Sequence, residues 1–383
     1  MEECVARGLA ALAELKHGSE LIVVDNGSDD GSADLALAAG ARVVREPRRG
    51  YGSAYLAGFA AAQGEYIVML DADLTYDFAD IPRFVAQLEA GADFVMGNRR
   101  GRVRPGAMPW LHQHVGNPLM TRALNTLFRT GLGDAWCGMR GFRRDALPRL
   151  DLRTTGMEFA LEMVIRASKV GLETREIPIE LHPRGGESKL ARYRDGWRGL
   201  RFMLLHSPTH LFAVPGVLAA ITGAIVMLAA LMGLPGPESR MHALIGGSLL
   251  TVFATQVLGL GLCARAYGSY FLEDREGRFD RLRSRLRLEH GLAAGGATAF
   301  VGLILGVAIV ARWADQGLSG LFDERMAIVA ATLMLVGMQV VFTSFLVSIL
   351  GLRRRARPGP ALTYGLSVAH AASSEAQSAE ASP

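Results

Sequence analysis

Two acidic clusters stand where the chain leaves apolar runs. In "VMLDADLTYD", Asp71 and Asp73 flank one alanine. On extended backbone both side chains leave the same face, and two hard oxygen donors so placed can hold a divalent cation that neutralises a pyrophosphate. A lone D-x-D is common in loops; its weight here comes from Asp25, which closes "LIVVD" before the turn residues Asn26 and Gly27. Asp25 can accept hydrogen bonds from a nucleotide base or ribose, or it can be a turn residue ahead of a helix. Cations for phosphate are offered by Arg140, Arg143 and Arg144 in "GMRGFRRD" and by Arg184 and Lys189 in "PRGGESKL", whose glycines let backbone N–H groups approach an anion. A solvated charged face is the plainer reading, weaker for Lys189 because the other lysines are only Lys16 and Lys169. Glu158 and Glu162 are four apart on one helical face, to order an acceptor or to pair with Arg166.

These residues need a scaffold that presents strand ends. Short β-rich runs at Glu20 to Asp25, Ala41 to Arg45, Glu65 to Leu70, Ala92 to Gly97 and Glu173 to Leu181 alternate with helix-like segments at Ala33 to Ala39, Ser53 to Gln63 and Ile81 to Ala90. That alternation predicts an α/β domain with a mainly parallel sheet, helices on both faces, and ligands at the carboxyl ends of strands.

The remaining half has another character. The chain is 50% apolar with a formal charge of +4 and a mean hydropathy of +0.21, which argues against disorder and against a single soluble domain. Spans at about 211–234, 243–263, 291–311 and 326–352 are free of charge and long enough to cross a bilayer, which takes roughly 20 helical residues. Ahead of them, residues 189–207 mix arginines with Leu190, Trp197, Leu200 and Phe202, as an amphipathic juxtamembrane helix would. Arginines crowd loop 264–290 and the stretch after Leu352, while the alternate loops hold little more than Arg240, Arg312 and Arg325. The positive-inside rule therefore puts residues 1–188, the middle loop and the C-terminus in the cytoplasm, in a cell (inner) membrane. Residues 358–383 read as a disordered tail. Cys4, Cys137 and Cys263 have no metal-type spacing and suit a reducing compartment. The basic excess suits anionic lipid or a phosphorylated substrate, and no nucleic acid is expected.

"LIVVDNGSDDGS", "RRGYGSAYLAGFAAAQGEYIVMLDADLTYD", "DFVMGNRRG", "DAWCGMRGFRRDAL" and "RGGESKL" occur in an order that resembles the family-2 glycosyltransferases of the dolichol-phosphate mannose synthase and polyprenyl-phosphate glycosyltransferase type. The resemblance implies a GT-A, Rossmann-like nucleotide-diphospho-sugar transferase domain followed by a four-helix transmembrane region. It implies that Asp25, Asp71 and Arg99 meet a nucleotide sugar of UDP-glucose or GDP-mannose type, and that Asp71 and Asp73 bind Mg²⁺ or Mn²⁺. It further implies that Asp73 and Asp134 are catalytic, and that Arg140, Ser188, Lys189 and Glu158 serve phosphate or acceptor. The reaction implied is inverting transfer of a hexose to undecaprenyl or dolichyl-type phosphate at the cytoplasmic membrane face, for cell-envelope glycoconjugates. Oligomeric state is left open.

Two departures stand beside the resemblance. Thr75 and Tyr76 follow Leu74 where the mannose synthases carry D-A-D-x-Q, so donor identity does not transfer. Family members open with a strand ending in a P-A-x-N-E-like motif, whereas this sequence opens on "MEECVARGLAALAELK", which predicts a further strand upstream. Rival readings are a membrane scaffold without catalysis, a dinucleotide oxidoreductase and a processive polysaccharide synthase. "GYGSAY" lacks the G-x-G-x-x-G spacing of the second; Arg312 and Trp313 follow Ile309 where the third needs Gln.

Overall fold

The computed structural model describes residues 1–16, 18–184, 192–234, 236–271, 288–315 and 324–352. It divides into two compact units, Met1–Leu211 and Phe212–Pro383.

The first unit runs α1 (Glu2–Ala13), β1 (Ile22–Asp25), α2 (Ser32–Ala38), β2 (Arg42–Arg45), α3 (Tyr51–Ala61), β3 (Tyr66–Met69), α4 (Ile81–Glu89), β4 (Phe94–Asn98), α5 (Asn117–Phe128), β5 (Arg140–Arg143), α6 (Leu147–Leu150), α7 (Phe159–Lys169), β6 (Thr174–Pro178) and α8 (Arg192–Leu205). The alternation follows the sequence pattern, but the sheet differs from a single, mainly parallel one. β1 and β2 form a parallel pair with Ile22 opposite Arg42, and the other strands lie in the order β3-β5-β4-β6. β5 is antiparallel to both neighbours, whereas β4 and β6 are parallel. β5 escapes sequence reading because "RGFR" looks like a basic loop; it is a strand because Phe142 is fully buried and Arg140 finds internal partners for its charge.

The strand period sorts β4 between two cores. Phe94 and Met96 join Phe142, Phe159 and Leu161 on one side, while Val95 joins Phe84, Leu88 and Met139 on the other. On α4, Ile81, Phe84 and Leu88 recur at helical spacing, and Pro82 occupies the first turn, where its missing N–H is harmless. Among the described residues β1 pairs only with β2 and β3 only with β5. Two helices lie across both strand pairs' surroundings. On α1, Gly8 sits against Leu21 and Phe78; on α3, Gly58 faces Val24 while Phe59 packs edge-on against Phe142.

The second unit holds α9 (Val214–Met232), α10 (Pro237–Phe271), α11 (Leu288–Asp315) and α12 (Glu324–Leu352). Four helices here are long and apolar enough to cross a membrane. They touch through small residues: Gly223 lies on the backbone of Gly247 and Thr251, and Gly302 on that of Ala330 and Met334. The Ser248 and Thr332 hydroxyls join α10 to α12 at 2.6 Å. Leu218, Ile225, Phe300 and Phe342 stay exposed, as lipid-facing side chains are. The middle of the basic loop, residues 272–287, and the tail 358–383 lie outside the described residues.

Candidate active site

The D-x-D loop leaves β3 in a tight turn. Leu74 has a φ of +60°, a left-handed conformation uncommon for a branched residue. That twist brings the Thr75 N–H and hydroxyl onto Oδ1 of Asp73 at 3.0 and 2.5 Å. Oδ2 of Asp73 is paired with the Arg184 guanidinium at 2.7 Å. Asp71 accepts a hydrogen bond from the Tyr55 hydroxyl at 3.0 Å. Burial, and then the neighbouring charge of Asp73, push the Asp71 carboxyl above the ordinary carboxylate value of 3.8, and the Tyr55 bond acts the other way. Burial raises the Tyr51 and Tyr55 phenols, so both stay protonated and can donate.

α3 carries this support. Its N-terminal end is fixed by Asn26, whose Oδ1 accepts from Gly50 N at 2.7 Å and whose Nδ2 donates to the carbonyls of Glu46 and Arg48. A β-carbon on Gly50, where φ is +150°, would lie 2.3 Å from the Thr155 carbonyl, and one on Gly52 would lie 2.3 Å from that of Thr154. Only glycine lets this helix end rest on the 153–156 loop. Glu162 holds that loop, accepting from Arg153 N, Thr154 N and the Thr154 hydroxyl. Tyr51, Tyr55, Phe59 and Phe159 then pack edge to face and stacked beneath Asp71. Asp25, on the strand before this clamp, accepts from Ser28 N at 2.9 Å. The Ser28 backbone and hydroxyl hold its carboxyl below the usual value.

A second group of expected residues has a different place. Arg99 and Asp134 close on each other through two bonds of 2.7 and 2.9 Å, with Arg99 N adding a third at 3.1 Å, and both are buried. Burial alone would raise Asp134; the Arg99 guanidinium overcomes it and holds the carboxyl low. Arg140 is fully buried and donates to the carbonyls of Cys137, Ala160 and Ala135 at 2.9, 2.5 and 3.4 Å. Arg99, Asp134 and Arg140, expected at the nucleotide, the reaction and a phosphate, are thus held to one another or to backbone carbonyls in this structure. This clamp still shapes the site, because the strand entry it anchors carries Gly138. A β-carbon there would come within 3.0 Å of both Asp71 Oδ2 and the Tyr76 hydroxyl.

Glu158 is half-buried at the start of α7. Glu162 anchors a loop rather than pairing with Arg166, whose partner is Asp151. Ser188 and Lys189 lie outside the described residues. Sequence reasoning missed Tyr55, Tyr76 and Leu74. The aromatic spacing of "YGSAYLAGF" was the available signal for Tyr55, whereas the twist at Leu74 left none.

Among the described residues no three His, Cys, Asp or Glu side chains gather as a metal cage. Asp71 and Asp73 are hard oxygen donors close enough for one charge to raise the other's pKa. They fit a divalent cation that takes its other ligands from diphosphate oxygens and water.

Strand-end carboxylates on a sheet covered by helices occur in one chain with four helices long and apolar enough to cross a membrane, as in a membrane-bound glycosyltransferase. Residues 2–150 match the model of glycosyl transferase family 2, and residues 262–351 match the family 2 C-terminal transmembrane region. The low-salt glycan biosynthesis hexosyltransferase Agl6 of Haloferax volcanii is 38% identical over 357 residues, covering 91% of this chain and 85% of that one. The chain belongs to glycosyltransferase family 2 and is an integral membrane protein. A dolichyl-phosphate hexose transferase of the same organism is 32% identical over 51% of this chain and 84% of its own. The glucosyl-3-phosphoglycerate synthase of Mycobacterium tuberculosis, solved with Mn²⁺, uridine diphosphate and glucosyl-3-phosphoglycerate, aligns with a TM-score of 0.43 at 22% identity, over 54% of this chain and 76% of that one.

Proposed function

We propose that this glycosyltransferase moves a hexose from a nucleotide sugar to a polyisoprenyl phosphate at the cytoplasmic face of the membrane, inverting the anomeric centre. The observation that carries the reading is the Asp71–Asp73 pair at the end of β3, with Tyr55 on one carboxylate and Arg184 on the other, in a chain with four helices long and apolar enough to cross a membrane. The Agl6 and dolichyl-phosphate hexose transferase relatives support a hexose and a polyprenyl acceptor.

Asp71 and Asp73 would hold Mg²⁺ or Mn²⁺, which supplies charge neutralisation at the donor diphosphate. Asp25, at the end of β1, would contact the nucleoside. A phosphate monoester has its second pKa at about 6, so the acceptor is already ionised and needs no general base. Its oxygen attacks the anomeric carbon, the bond from that carbon to the nucleoside diphosphate oxygen breaks, and the diphosphate leaves with the electron pair. The chain's part is positioning and charge compensation: Arg184 stands beside Asp73, and Ser188 and Lys189 follow it in sequence. Glu158 is assigned to the acceptor side. Arg99, Asp134 and Arg140 act as positioning residues beneath the site.

Purified full-length protein, given labelled UDP-glucose or GDP-mannose with undecaprenyl or dolichyl phosphate, should form a chloroform-soluble sugar lipid that EDTA abolishes and Mn²⁺ restores. Folded protein that neither transfers nor hydrolyses any donor would instead fit the scaffold reading.

A further inference from the structure

We infer that a cavity of about 250 Å³ lined by Arg129, Thr130, Ser168 and Thr174 binds a small, soluble polyol phosphate, at a site remote from Asp71 and Asp73. This goes beyond the reaction proposed above and does not depend on it.

The cavity lies where α5 and α7 end and β4 and β6 begin. Phe94 and Thr174, which open those two strands and pair with each other, both line it. β3 and β4 are each antiparallel to β5, so they run the same way, and β6 is parallel to β4. The starts of β4 and β6 are therefore at the edge of the sheet opposite the end of β3, after which Asp71 follows. The volume is smaller than the roughly 300 Å³ at which pockets for drug-sized ligands begin, so a small molecule is the size class that fits.

The lining defines the chemistry. Phe94, Leu132 and Leu172 supply buried apolar surface. Thr130, Ser168 and Thr174 supply hydroxyls, and each directs its proton to an internal acceptor: Asn125 Oδ1 for Thr130, the Phe128 carbonyl at 3.0 Å for Ser168, and the Leu172 carbonyl at 3.2 Å for Thr174. Their oxygens keep free lone pairs, so toward a ligand they accept. A molecule with several O–H donors answers that set.

The charge is positive. Arg129 caps α5 at φ +57° and ψ +38°, a left-handed conformation that glycine adopts at least cost. Its guanidinium is exposed and has no carboxylate partner among the described residues. The carboxylates next to the two strand starts are engaged, Asp93 by the Glu173 N–H at 3.0 Å and Glu173 by Arg175. Helix C-terminal carbonyls would favour a cation, but here they are capped: that of Phe128 by the Ser168 hydroxyl, and those of Arg166, Ala167 and Ser168 by the N–H groups of Val170, Leu172 and Gly171. What remains for a ligand is one guanidinium beside three accepting oxygens. The first takes a phosphate group, and the others take the hydroxyls of the polyol that carries it.

The test titrates full-length protein in detergent with glucose 6-phosphate by calorimetry, with EDTA present so that metal-dependent donor binding does not contribute. One site should be seen. Glucose and inorganic phosphate should each bind about tenfold more weakly or worse, because each offers half of the recognised chemistry. Arg129→Gly should weaken glucose 6-phosphate by about tenfold or more while the melting temperature holds or rises, since glycine suits the left-handed cap. Thr174→Val, which removes one accepting oxygen, should weaken it several-fold. Wild-type affinity in Arg129→Gly would overturn the proposal. So would inorganic phosphate binding as tightly as the ester, which marks an adventitious ion only. Displacement of the probe by UDP would put it in the reaction site, and displacement by phosphatidylglycerol would give the cavity to a lipid headgroup; either result overturns a separate site for a soluble ligand.

Discussion

The Tyr55 hydroxyl donates to Oδ1 of Asp71 across 3.0 Å, tying the middle of α3 to the end of β3. Asp71 has its pKa raised by burial and by Asp73, so in the absence of a cation its ionised form weakens the fold. The protonated form is the stable one below the ordinary value of 3.8, and that advantage is lost as pH rises through the raised value. Cation binding has the opposite pH dependence, because it needs the carboxylate. Tyr55→Phe removes a bond that favours ionisation. The acid limb of the rate profile should therefore move to higher pH, at a stability cost of about 1 kcal/mol. An unmoved limb would mean that Asp71 does not set it.

Asp73→Asn keeps an acceptor for Thr75 and loses the charge that faces Arg184. Transfer should fall by about 100-fold or more. The melting temperature should barely move, because a part-exposed ion pair contributes about 1 kcal/mol or less. Wild-type turnover at saturating Mn²⁺ would remove Asp73 from the metal site.

Asp134→Asn and Arg140→Met test the buried group. Opening the Arg99–Asp134 pair leaves a charge without its partner and should cost about 3–5 kcal/mol. Removing Arg140 strands three buried carbonyls, at roughly 1–3 kcal/mol each. Denaturant melts should show both losses. The Asp134 contribution is full above the ordinary carboxylate value of 3.8 and disappears as pH falls through the depressed one. An Asp134→Asn enzyme of normal stability and negligible kcat would instead make this carboxylate catalytic.

Gly138→Ala puts a methyl group within 3.0 Å of Asp71 Oδ2 and the Tyr76 hydroxyl. Metal affinity and kcat/KM should drop together while circular dichroism stays native. Unchanged Mn²⁺ dependence would show that the loop yields without moving Asp71.

The orientation is checked by thiol labelling in intact cells. A cysteine replacing Arg283, in the arginine-rich loop, should be protected from an impermeant reagent, and one replacing Ser239 should react. Labelling at position 283 would reverse the assigned sidedness.

The parts of this molecule that announce themselves in sequence are those with local signatures. Charge-free runs longer than a bilayer, and Asp71 and Asp73 after "YIVML", need no partner to be recognised. What stayed hidden depends on pairing across the chain. Arg99 and Asp134 are thirty-five positions apart, and nothing near either says that each neutralises the other. "RGFR" reads as a phosphate-binding patch because four residues cannot reveal that Arg140 will meet three carbonyls. Thus the same residue type reads as a surface cation in sequence and is internal scaffolding in the fold.

The half-buried strand β1 and its counterpart β3 each show, among the described residues, a hydrogen-bonding partner on one side only. Rows of free N–H and C=O groups beside apolar "IVV" and "YIVM" are templates for strand addition. A fragment comprising the first unit alone should therefore become turbid on concentration by intermolecular cross-pairing, a reaction of the main chain that surface charge reversal would not cure. An extended peptide capping those edges would keep it monodisperse.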